Sequence, residues 1–69
     1  MNWEQIQIDW GQFKGQVRAN WIKLTDDDLT RIGGRRDELT RRLQARYGFA
    51  EAEAESEIEA WVKAQRRAA

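Results

Sequence analysis

The chain has 69 residues and contains no cysteine, no histidine and no proline. Without cysteine no disulfide can brace it, and without cysteine and histidine the usual ligands of zinc and other soft metals are missing. The same two absences remove the commonest general base and the most reactive nucleophile. Ser56 is the only serine, set among glutamates with no imidazole to activate it, so it reads as a solvated helix residue. Glu51 and Glu55 read the same way, as solvated carboxylates on the exposed first turn of a helix. No Gly-x-Gly-x-x-Gly or phosphate-loop pattern occurs. The chain is therefore not expected to be an enzyme, and it offers no cofactor-binding or metal-binding set. The apolar runs fall well short of a membrane span, and Met1-Asn2-Trp3-Glu4-Gln5 has neither the basic nor the apolar region of a secretory leader. A cytoplasmic protein is expected.

What the chain does have is aromatic weight and balanced charge. Four tryptophans, two phenylalanines and one tyrosine can each bury a large area, which a domain this small needs. Charged residues make up 35% of the chain at a formal net charge of zero, which argues against a general polyanion binder. No linker, repeat or low-complexity stretch divides it, so residues 1–69 read as one domain.

In the first segment Trp3, Ile6, Trp10, Phe13, Val17 and Leu24 recur at helical spacing. This predicts one long helix over about 3–20, with Asn2 as its cap and Gln5 placed for a return bond. Gly11 and Gly15 inside that pattern imply either a closely packed neighbour or a bend. Ile8 and Ile22 fall opposite the stripe. Either the helix bends or ends before Trp21 and Ile22 turns inward, or Ile8 is simply exposed, or the two isoleucines form a self-association surface. Thr25 caps a second helix over about 26–32, and Asp26, Asp27 and Asp28 in its first turn complement the helix dipole. A calcium or magnesium site is the competing reading of three acids. Consecutive helical residues point apart, however, and the remaining ligands of a calcium loop are missing. Gly33-Gly34 ends this helix.

A third helix is predicted over about 35–47 on Leu39, Leu43 and Tyr47, with Gly48 as its stop. The Ala/Glu alternation from Ala50 imitates a strand, but these are helix formers, and Ala54, Ile58, Trp61, Val62 and Gln65 align at helical spacing. That gives a fourth helix over about 51–66, without a good capping side chain at Ala50 and with fraying expected in the last few residues. The fold class is all-α.

Residues 30–50 carry six arginines against two acids, and residues 51–69 carry five glutamates against three cations. If the last two helices form an antiparallel hairpin, these faces partly neutralise one another. The functional alternative is a weak nucleic-acid-binding accessory module in which Arg31, Arg35, Arg36, Arg41, Arg42 and Arg46 meet phosphates. Ile32-Gly33-Gly34-Arg35-Arg36 resembles a helix-hairpin-helix turn, although the usual glycine, apolar residue, glycine spacing is absent.

Trp3, Ile6, Trp10, Phe13-Lys14-Gly15, Trp21, the run Lys23-Leu24-Thr25-Asp26-Asp27-Asp28-Leu29, Gly34, Arg36-Asp37, Leu39, Gln44, Arg46-Tyr47-Gly48, Ala54-Glu55 and Trp61 together span almost the whole chain. In these residues it resembles the CsbD family of small bacterial general-stress proteins, its YjbJ-like members in particular. The resemblance implies a cytoplasmic, non-enzymatic protein whose expression accompanies stress and stationary phase. It also implies a four-helix domain of two crossed helical hairpins, similar to the SAM-domain architecture. No catalytic or cofactor residue comes with it. The family commonly has glycine where this chain has Ile8, Ile22 and Arg41, and these departures stiffen the helices and add apolar surface. A monomer is expected, with a homo-oligomer through Ile8 and Ile22 as the alternative.

Overall fold

The computed structural model describes residues 3–67, with side chains as far as Ala64. The expected cap at Asn2, the inward Gln65, the cations Arg66 and Arg67 near the last helix end and the frayed last residues lie outside the described residues or side chains. Five helices follow one another: α1 (Trp3–Ile8), α2 (Trp10–Asn20), α3 (Asp26–Ile32), α4 (Arg36–Tyr47) and α5 (Glu51–Arg67). No strand occurs among the described residues, so the all-α class and the helical Ala/Glu segment hold. Helix α4 packs against both α3 and α5, and α1 against α2.

The single long first helix does not hold. The chain breaks at Asp9, whose ψ of 33° departs from helical geometry, while its carbonyl accepts from both Gln12 and Phe13 N–H. The break serves two anchors. Trp3 donates its indole N–H to the carbonyl of Gly34 (2.9 Å), and Trp10 donates to that of Leu29 (3.1 Å). Both tryptophans are half-buried, holding α1 and α2 onto α3 and the turn behind it. Neither Gly11 nor Gly15 interrupts the helix, and neither meets a packed neighbour: α2 continues through both, and a Cβ on either would meet nothing within 4 Å. Ile22 does not turn inward. It is 79% exposed and Ile8 81%.

Every helix contributes to the core, as does the stretch between α2 and α3: Ile6, Phe13, Val17, Trp21, Leu24, Leu29, Ile32, Leu39, Leu43, Ala54, Ile58 and Trp61. Trp21 is the largest fully buried side chain. It caps α2 by donating its backbone N–H to Val17 (2.9 Å), and its ring lies 5.8 Å from that of Trp61. The helix ends follow local chemistry. Thr25 and Asp28 form a full capping box at the start of α3. Helix α5 lacks a capping side chain at Ala50, but the Glu53 carboxylate accepts from the Ala50 N–H (2.9 Å), which restores half of such a box.

The turn from α3 to α4 needs its glycines. Gly33 and Gly34 take φ of 53° and 86°, and a Cβ on Gly34 would lie 3.1 Å from the Cα and carbonyl oxygen of Gln7 in α1. Gly34→Ala is expected to destabilise the domain by roughly 1–3 kcal/mol, through strain and through that backbone contact. Gly11→Ala, with open space around it, should stabilise by about 0.5–1 kcal/mol through helix propensity alone. Urea titrations of the two variants check the opposite signs. Equal shifts in one direction would mean that α1 does not rest on this turn.

Candidate functional site

The chemistry of the molecule concentrates around Asp28, the third residue of α3. Its side chain is 1% exposed, an unusual position for a carboxylate unless it is well partnered. Being at the third helical position, Asp28 accepts from the backbone N–H of Thr25 (3.1 Å), while its own N–H donates to the Thr25 hydroxyl (3.1 Å). From α4, Arg46 forks onto it: Nε donates to Oδ2 at 2.8 Å and Nη2 to Oδ1 at 3.0 Å. Arg42, one turn earlier on the same face, adds a longer ion pair at 3.7 Å. The Arg46 hydrogen bonds hold the Asp28 carboxyl well below its usual range, at about 2, against burial and with help from the Thr25 N–H. In return Asp28 raises the pKa of Arg46.

The three adjacent aspartates do not converge. Asp26 pairs with Arg18 (2.7 Å), Asp27 with Arg31 (2.8 Å) and Asp28 with Arg46, so each carboxylate takes its own arginine in its own direction. Among the described residues no group of three or more acidic side chains is placed to hold a metal ion.

The six arginines of the proposed phosphate-binding face are largely occupied. Arg46 and Arg42 turn to Asp28, Arg31 pairs with Asp27, and Arg41 pairs with Glu38 (3.0 Å). Arg35 folds back over the end of α3, donating to the carbonyls of Arg31 (3.1 Å) and Ile32 (3.5 Å). The guanidinium of Arg36 alone among the six has no hydrogen bond or ion pair with a described residue. The expected neutralisation of the basic helix by the acidic one is also corrected. Among the described residues no ion pair joins α4 to α5; Arg42 and Arg46 pair with Asp28 of α3 and Arg41 with Glu38 within α4, while Arg36 pairs with neither helix. The reason is direction. The face of α4 that carries Arg42 and Arg46 looks at the capped end of α3, and Arg41, which shares a groove with Glu51 and Glu55 of α5, pairs with Glu38 of its own helix instead.

A buried Asp28 was legible only as a cap. The signal that could have found its second role is Arg42-x-x-x-Arg46, an i, i+4 pair on a helix that must pack on α3. A second grouping was not foreseen at all. The Tyr47 ring stacks on Phe49 (5.2 Å, 4° between planes), and the Lys23 ammonium sits over it at 5.0 Å. Glu51 and Glu55 line an open groove between α4 and α5 with Asp37, Thr40, Arg41 and Gln44. No described helix is long and apolar enough to cross a membrane.

No family model matches the chain. Curated relatives do. It is 48% identical over 63 residues to the UPF0337 protein YjbJ of Escherichia coli O6:H1, covering 91% of each chain. It is 51% identical over 61 residues to the UPF0337 protein ECA0631 of Pectobacterium atrosepticum, covering 88% of each. With the UPF0337 protein RPA4217 of Rhodopseudomonas palustris it shares 48% over 61 residues, which is 88% of this chain and 92% of the relative.

Proposed function

The chain belongs to the UPF0337 family, and on that footing we propose that it is a stress-associated helical domain of the CsbD type that acts by binding or by its abundance, not by catalysis. The observation that carries this reading is the match to YjbJ over nine-tenths of both chains. The interior chemistry is consistent with it. The most perturbed carboxylate, Asp28, is consumed by a capping box and an arginine fork, which leaves it no exposed face toward a substrate. Asp28 works here as structure. The proposal extends to a cytoplasmic location and to two crossed helical hairpins in a SAM-like arrangement.

Nucleic-acid binding through the arginine face draws no support, since Arg42 and Arg46 turn to the buried Asp28 and Arg35 folds back over the end of α3, so the six do not present one basic face. A quantitative proteome of the native host tests the leading reading. The protein should rise several-fold per cell on entry into stationary phase or under osmotic or oxidative stress. A level that stays flat through all three would sink it.

A further inference from the structure

Two shallow grooves adjoin on the outside of the domain, and their rims carry opposite charge. The first lies along the end of α2 and is lined by Gly15, Arg18, Ala19 and Ile22. The second lies at the start of α5 and is lined by Phe49, Ala52, Glu53, Ser56 and Glu57. Contacts stitch them together: Trp21 donates its indole N–H to Glu57 (3.4 Å), and Lys23 covers the Tyr47 ring that stacks on Phe49. Ile22 stands 79% exposed at the edge of the first groove. Gly15 lowers the helix propensity of α2, yet nothing inside the domain uses the room it leaves. That room is used only if something approaches from outside.

The geometry points to a second copy of this chain as the occupant, docked about a two-fold axis through the seam between the grooves. In this isologous dimer Ile22 of each copy enters the Phe49–Ala52–Ser56 groove of the other, and Arg18 of each faces Glu53 of the other. A surface with apolar residues in both halves, a basic residue on one and acidic residues on the other is complementary to itself under that rotation. The charge match is the argument for this occupant over an unrelated protein. Arg18 already pairs with Asp26, but that pair is exposed on both sides, and a guanidinium has donors to spare for a second carboxylate. A formal net charge of zero leaves no long-range repulsion between copies. This surface differs from the Ile8 and Ile22 pairing expected from the sequence, because Ile8 lines neither groove.

Sedimentation equilibrium of the full chain tests it. A monomer–dimer equilibrium is expected, weakened at least tenfold by Ile22→Asp, with the melting curve of the dilute protein unchanged. Arg18→Glu and Glu53→Lys should each weaken it separately. An equimolar mixture of those two variants should restore the dimer, because the reversed halves then match at both contacts. A monomer at every concentration, an open ladder of larger oligomers, a dimer indifferent to Ile22→Asp, or a mixture no stronger than either variant alone would each overturn the proposal.

Discussion

Trp21→Ala is expected to leave the domain largely unfolded at room temperature. The side chain is 2% exposed and is the largest of those fully buried, and its ring leans on Trp61, 5.8 Å away at 51°. Truncating a buried tryptophan costs roughly 3–5 kcal/mol, because the apolar contact is lost and the cavity closes only in part. A domain of this length has about 3–10 kcal/mol in total, at the usual stability per residue, so one substitution removes most of it. Trp61→Ala, from the other side of the same contact, should cost a similar amount. Trp10→Ala should cost less, because that ring is half-buried and its main tie is a single hydrogen bond to Leu29. Far-UV circular dichroism against urea gives the order. A wild-type midpoint for Trp21→Ala would place the centre of the core elsewhere.

Asp28→Ala should be the most damaging polar substitution, at about 2–4 kcal/mol. It removes half of the capping box and leaves Arg46 and Arg42 facing a buried space without their acceptor. The cost is held below that of a wholly buried pair because the Arg46 side chain is 43% exposed and water can serve it. Asp28→Asn separates shape from charge. The amide oxygen can still accept from Thr25, but the arginine fork loses its anion. The pH dependence has a definite sign. The folded carboxyl lies at about 2, below the ordinary 3.8 of an aspartate. Its stabilisation is therefore complete above the unfolded value and is lost as pH falls through the folded one. The gap in urea midpoint between the wild type and Asp28→Asn should hold its full width from about pH 5 upward and narrow steadily toward about pH 2. A gap that does not change with pH would mean that Asp28 acts only as a cap.

How far the sequence reads through can be followed residue by residue. Thr25 was legible as a cap because capping is settled within four residues, and Gly33 and Gly48 as stops because only left-handed backbone is needed there. The strand-like Ala/Glu run was correctly helical for the same local reason. Trp21 was not placed at the heart of the core although it lies on the same stripe, four residues after Val17 and three before Leu24. The predicted helix stops at about residue 20, and a residue past a helix end has no direction fixed by spacing. The break at Asp9 was equally hidden. It is set by two indole hydrogen bonds to Gly34 and Leu29, 31 and 19 residues away in sequence, and no local pattern records them.

By itself the sequence determined the helical class, most helix ends, most of the buried apolar set and the family, because each rests on spacing and composition along the chain. Only the tertiary structure decided where the charges go. Arg42 and Arg46 read as partners of the last helix, with a phosphate-binding face as the alternative. The way α4 packs on the capped start of α3 gives them instead to Asp28. A carboxylate out of water must be answered by whatever cation the packing brings within hydrogen-bond reach. Which cation that is depends on the angle between two helices, and sequence spacing does not contain it.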